Sequence, residues 1–162
     1  MNTKRSFIAR AGLLAASLFL FIGSIGIAQE PANIVVTLNV DTGQIEKSNA
    51  SAFCHFGQDA DVSNEDFTIV VNVGDVVTWQ GVSTSSPNDI VNIKSINHEG
   101  GKNVFDKNIL AGNNAVPEKV EAKVLYPTPD GKEYKYKISF TVMNNGVKRN
   151  GTFHIDPKIQ SH

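Results

Sequence analysis

The sequence predicts an all-β chain folded as a two-sheet antiparallel Greek-key sandwich. Three observations lead there: apolar residues recur with a period of two along several short stretches, turn-forming residues separate those stretches, and none holds the 3.6-residue period of an amphipathic helix. A strand that alternates in this way buries one face, and two such sheets cover each other's apolar faces.

The first strand is predicted over residues 33–40, where Ile34, Val36, Leu38 and Val40 share one face and Val35, Thr37 and Asn39 the other. Asp41-Thr42-Gly43 supplies the turn that follows. Phe67, Ile69, Val71 and Val73 share parity, Gly74-Asp75 interrupts it, and Val77 and Trp79 resume, which fits two strands or one bent strand. Residues 89–96 carry two competing parities, Ile90 and Ile96 against Val91, Ile93 and Ser95. A further strand is predicted over residues 120–126, closed by Pro127-Thr128-Pro129-Asp130-Gly131. The clearest alternation sets Tyr134, Tyr136, Ile138, Phe140 and Val142 against Lys135, Lys137, Ser139 and Thr141. It ends at Asn144-Asn145-Gly146, residues that tolerate positive φ, and Gly151, Phe153 and Ile155 give the returning strand its buried face.

Residues 1–28 read as a cleaved export signal. Lys4, Arg5 and Arg10 precede an uncharged apolar run that ends in Gly26-Ile27-Ala28, small residues suited to cleavage. Thr3-Lys4-Arg5-Ser6-Phe7-Ile8 resembles a twin-arginine motif with lysine in the first position, although a general secretion signal needs basic residues there too. Residues 29–162 are then expected to form one domain outside the cytoplasm, in the periplasm or beyond the cell. Removing the three basic residues leaves 12 Lys and Arg against 16 Asp and Glu, so the remaining chain carries about −4. Such a surface offers no electrostatic footprint for nucleic acid. No membrane association after cleavage is expected, and the domain reads as a monomer.

Cys54 is the single cysteine, which excludes an intrachain disulfide; burial as a small apolar residue is the expected fate of its thiol.

Val73-Gly74-Asp75-Val76-Val77-Thr78-Trp79 is similar to the GDxVxW segment of cupredoxins, the plastocyanin and azurin family. Gly131-Lys132-Glu133-Tyr134-Lys135-Tyr136 resembles the entry to their copper-ligand loop, and Gly151-Thr152-Phe153-His154-Ile155 the strand that leaves it. The resemblance implies a cupredoxin-like sandwich, and it implies ligand positions that this chain does not fill. Asn88 stands where the first histidine is expected, Ile138 where the cysteine is and Thr141 where the second histidine is. Met143 is the one methionine nearby. A thioether alone makes a weak axial ligand, and an amide does not replace an imidazole at a blue-copper site.

Other constellations are sparse. Cys54 with His98 is a weak candidate metal pair, and adjacent Cys54 and His55 point to opposite faces of a strand. His154 has the parity opposite to Phe153 and Ile155 and reads as solvent-facing, and His162 is terminal. Asp59, Asp61, Glu65 and Asp66 cluster before a strand without the spacing of a calcium loop. No nucleophile elbow, phosphate loop or metalloprotease signature occurs.

The polar, glycine-containing stretch Asn97-His98-Glu99-Gly100-Gly101-Lys102-Asn103 reads as a loop, and Asn97, His98, Glu99 and Lys102 are the candidate interaction residues. The function expected is a non-catalytic binding or interaction domain for a protein or glycan partner, with no catalytic residue and no required cofactor. The alternative is copper handling or electron transfer with relocated ligands. An immunoglobulin-like adhesion domain would use Trp79 in its core but lacks the usual disulfide.

Overall fold

A computed structural model describes residues 30–162, and the predicted export signal lies outside them. Eleven strands and one 3-10 turn, Ala50–Phe53, follow in order: β1 (Asn33–Val40), β2 (Cys54–His55), β3 (Thr68–Val71), β4 (Val76–Ser83), β5 (Ile90–Gly100), β6 (Ile109–Ala111), β7 (Lys119–Lys123), β8 (Tyr134–Asn144), β9 (Val147–Lys148), β10 (Phe153–Ile155) and β11 (Lys158–Ser161). One sheet has the order β2-β1-β4-β7 and the other β3-β11-β8-β5-β6, with β9 and β10 also paired to β8.

The expectation of antiparallel sheets is corrected, because both are mixed. β1 runs parallel to β4 along its whole length, Asn33 opposite Val76 through Val40 opposite Ser83, and β11 runs parallel to β3. Alternation tells which face of a strand is buried and carries no information on its direction. The chain between β1 and β4 is long enough to cross to the other sheet, form β3 there and return in the original sense, as parallel pairing requires.

One apolar cluster fills the space between the sheets. It is built from Val36, Leu38 and Val40 of β1, Val77 and Trp79 of β4, Val91, Ile93 and Ile96 of β5, and the five inward residues of β8. Trp79 sits at its centre, edge-on to Phe105 and Tyr136, and its indole N–H donates to the buried Tyr136 hydroxyl at 3.1 Å. Such a donor needs a partner once water is excluded. Gly81 lies where β4 passes close to β5: a Cβ there would fall 2.5 Å from Cγ1 of Val91 and 2.6 Å from its carbonyl oxygen. Only glycine permits that approach without displacing β5.

Two carboxylates fasten the chain ends of these strands. Asp75 of the GDxVxW segment accepts the backbone N–H groups of Ala32 and Asn72, both at 2.8 Å, so the β3–β4 turn is tied to the start of β1. Asp89 accepts from the Thr42 hydroxyl at 2.6 Å, the Asn144 amide at 2.7 Å and the Asn145 backbone at 2.9 Å, joining the loops after β1, before β5 and after β8. The β8–β9 reversal uses Asn145 at φ 51° and Gly146 at φ 75°, the two positive-φ positions that match the twist of a tight hairpin.

Candidate functional site

The segment expected to form a polar loop is for the most part a strand. Asn97, His98, Glu99 and Gly100 are the last four residues of β5, paired to β8 with Asn97 opposite Lys137 and His98 opposite Tyr136, and the chain leaves the sheet only at Gly101. The polar composition marks an outward strand face at a sheet end rather than a solvated connection. A register shift between His98 and Gly100 splays the candidate residues into different surroundings.

Asn97 and Glu99 lie on the outer face of the second sheet. The Asn97 amide donates to Ser139 Oγ at 3.1 Å, and Ser139 Oγ is 3.1 Å from His154 Nδ1, so one hydrogen-bonded chain spans β5, β8 and β10. His154 is exposed, as its parity predicts, while Ser139 is buried and bridges its two neighbours. One register further along, Glu99 and Lys137 form an ion pair at 2.9 Å. Asp156 stands beside them. Partial burial of its carboxyl raises its pKa, the Lys137 ammonium lowers it, and the negative charges of Glu99 and Glu65 raise it again. Lys158 reaches Asp66 at 3.2 Å and Glu133 at 3.6 Å on the same side. Glu65, Asp66, Glu99, Asp156 and Lys158 line an open depression of about 390 Å³ over β8 and β11.

His98 faces the other way. Its ring stacks on Tyr134 at 5.2 Å between centroids, and its Nε2 lies 3.1 Å from the Gly101 carbonyl, so it closes the end of the aromatic core. Lys102, beyond the turn, places its ammonium 5.2 Å from the centroid of the Tyr126 ring. Tyr126 is 40% exposed and Leu125 42%. Lys102, Tyr126, Pro127, Thr128 and Pro129 bound a cleft of about 340 Å³. Residues 127–131 follow as the turn expected to close the preceding strand. The available signal was a tyrosine placed directly against a Pro-Thr-Pro turn, where a rigid backbone holds the ring in solvent.

Cys54 and His98 are not brought together as the weak metal pair would require. Cys54 lies on β2 of the first sheet, buried, and desolvation pushes its thiol up to about 12, so it is protonated and unreactive at neutral pH. His55, its neighbour, is exposed and accepts the Gly57 N–H at Nδ1, as alternation on a strand requires. Cys54 and His55 both border a shallow depression of about 550 Å³, with Asn64 donating to the Cys54 carbonyl at 2.9 Å. Among the described residues no group of three or more His, Cys, Asp and Glu side chains is arranged around a metal position. The acidic run is likewise dispersed: Glu65 accepts from Ser51, and Asp66 from Ser63 and Lys158.

At the positions the cupredoxin resemblance assigns to ligands, Asn88 is exposed, while Ile138 and Thr141 sit on opposite faces of β8. β8 runs unbroken to Asn144, paired with β5 across the stretch where a ligand loop is expected. Side chains on opposite faces of one strand do not converge on a common ion.

No family model and no curated protein matches this chain. Among solved structures, the chain is similar to an inclusion body protein, PixA, from Burkholderia cenocepacia, at 17% identity and a TM-score of 0.59, covering 86% of this chain and all of that one. A cysteine protease inhibitor from Entamoeba histolytica aligns at 10% identity and a TM-score of 0.34 over 83% of this chain and all of that one. The first of these likenesses establishes a shared β-sandwich fold.

Proposed function

We propose that this chain is an exported, non-catalytic binding module built on a cupredoxin-like Greek-key sandwich that lacks the type 1 copper site. Its working surface is the place where Lys102, just beyond β5 of the second sheet, meets Tyr126, just beyond β7 of the first. The exposed Tyr126 ring, held between Lys102 and the Pro127–Pro129 turn, carries this reading. An amphipathic ring on a rigid turn offers contact area at little entropic cost, and a neighbouring cation adds polar selectivity. The partner class is a protein or a glycan; the charge balance gives no reason to expect nucleic acid.

The cupredoxin assignment draws on the GDxVxW turn, in which Asp75 caps two backbone N–H groups. Loss of the copper site draws on β8 continuing through Ile138 and Thr141. The alternative, copper handling with relocated ligands, would need donors beyond the candidate pair, since Cys54 lies on β2 of the first sheet and His98 on β5 of the second, and His55 stands on the opposite face of β2.

Two measurements on the purified protein separate these readings. Binding to immobilised extracellular proteins and polysaccharides should weaken about tenfold or more in Tyr126→Ala and Lys102→Ala, and equal binding by Tyr126→Ala removes the proposed surface. Addition of copper(II) should give no thiolate charge-transfer band, because Cys54 is buried and, among the described residues, no group of three or more His, Cys, Asp and Glu side chains is arranged to hold an ion. An intense thiolate charge-transfer band that disappears in Cys54→Ala transfers the assignment to copper handling.

A further inference from the structure

The dipeptide Asn-Gly occurs twice in the chain, at Asn145-Gly146 and Asn150-Gly151, on either side of β9. It is the sequence in which an asparagine amide is most open to attack by the next backbone nitrogen, because glycine has no Cβ to shield that nitrogen. The two copies stand in different surroundings. Asn145 is held: it lies at φ 51° in the β8–β9 hairpin, its N–H donates to Asp89 at 2.9 Å and its side-chain amide donates to Asn144 at 3.4 Å. In a hairpin turn of that hand the following nitrogen stands on the far side of Cα from the side chain, so a ring between them closes only if the turn opens.

Asn150 is free of such ties. It is exposed, and among the described residues neither its side chain nor the Gly151 N–H has a hydrogen-bond partner. Gly151 has φ 103°, and a Cβ there would overlap Cε of Lys47 and fall 2.6 Å from its Nζ. The Lys47 ammonium therefore lies against Gly151. Arg149, which precedes Asn150, donates to the Ile45 and Gly43 carbonyls, so the loop that carries Lys47 is fastened beside this one. Lys47, Lys148 and Arg149 make the neighbourhood positive in a chain whose net charge is negative. A cation beside a peptide N–H stabilises the anion left when the proton departs, and that anion is the attacking nitrogen.

We propose that Asn150-Gly151, with Lys47 against it, is a site of self-modification. The deprotonated Gly151 nitrogen attacks Cγ of Asn150 and forms a C–N bond. The bond from Cγ to the side-chain nitrogen breaks, that nitrogen leaves with the transferred proton as ammonia, and a five-membered succinimide remains. Water then adds to one of the two ring carbonyls and opens the ring to aspartate or isoaspartate at position 150. The chain and water are the only reactants, and nothing is oxidised or reduced. The product carboxylate gains Lys47 as an ion-pair partner, which joins the loop after β1 to the loop that enters β10. The isoaspartyl product also lengthens the backbone by one methylene just before β10.

Peptide mapping by mass spectrometry tests the proposal on the purified protein held at mildly alkaline pH, with isoaspartyl methyltransferase labelling to mark the rearranged product. In the folded chain Asn150 should convert about tenfold faster than Asn145 or more, and in urea, where the fold no longer distinguishes them, the two rates should come together. Lys47→Gln should slow Asn150 about threefold or more, the size of one charge at contact distance in water, and leave Asn145 unchanged. In urea the same variant should convert at the unmodified rate, which separates the role of the ammonium from any change in the chemistry of the dipeptide. Retention of the Asn150 amide through the incubation, conversion of Asn145 at an equal rate in the folded chain, or a folded Lys47→Gln that converts as fast as the unmodified protein overturns the proposal.

Discussion

On its inner face β8 presents Tyr134, Tyr136, Ile138, Phe140 and Val142, all fully buried and packed against Trp79, Phe105 and Phe153. On its outer face, one residue out of step, it presents Lys135, Lys137, Ser139 and Thr141, of which Lys137 meets Glu99 and Ser139 meets Asn97 and His154. The same eleven residues thus hold a framework on one side and a polar surface on the other. The difference teaches where substitution is costly: inner contacts have no water to replace them, whereas the ion pairs outside compete with solvent at every moment.

The largest effect should come from Phe140→Ala, which empties a site stacked on Phe153 at 5.5 Å and should cost about 3–5 kcal/mol by denaturant unfolding. A cost below about 1 kcal/mol would mean that the inner face is not the framework described. Next, Tyr136→Phe keeps the ring and removes only the acceptor of the Trp79 N–H. Leaving that donor buried and unpaired should cost about 1–3 kcal/mol, with altered Trp79 fluorescence as an independent readout.

Acid should act on the two kinds of carboxylate with opposite sign. The backbone N–H groups of Ala32 and Asn72 lower the pKa of Asp75, and the Thr42 hydroxyl and the Asn145 N–H lower that of Asp89. A depressed folded-state pKa contributes stability above the ordinary carboxylate value, and that contribution is lost as pH falls through the folded value. Asp156, raised by burial of its carboxyl, contributes the reverse: its charged form is disfavoured in the fold, and protonation relieves the penalty. The unfolding midpoint should therefore fall on acidification below about pH 4, while Asp156→Asn should leave neutral-pH stability equal or higher and keep the acid limb. A loss of neutral-pH stability in Asp156→Asn would show its pairing with Lys137 to outweigh its desolvation. The smallest effect should be Lys137→Ala, under about 1 kcal/mol, because its partner Glu99 is exposed and the pair competes with water.

How much of this was legible follows from the period of a strand. β1 was readable from Asn33 to Val40 because every second residue enters the core, and the β8–β9 turn because Asn145 and Gly146 tolerate the backbone it needs. β5 gave two parities for a physical reason. A bulge between Ile93 and Ser95 moves the inward set from Val91 and Ile93 to Ile96, so both alternations in the sequence are real and each holds for half the strand. β6 and β11 are too short to show a period, and β11 owes its place to pairing between β3 and β8. The surface at Tyr126 was half legible: the tyrosine stands directly against Pro127-Thr128-Pro129 in the sequence, while the lysine that meets its ring lies some two dozen residues earlier in the chain.

By itself the sequence determined the all-β class, the buried face of its main strands, the burial of Cys54 and the absence of copper-type side chains at Asn88, Ile138 and Thr141. These are local matters, settled by which side chains prefer water and which backbones a residue can adopt. Only the tertiary structure decided the parallel pairing of β1 with β4 and of β11 with β3, the fate of Asn97, His98 and Glu99 as strand residues, and the meeting of Lys102 with Tyr126. Each depends on which segments the closing core draws side by side, and a two-residue alternation carries no record of its neighbour or of its direction.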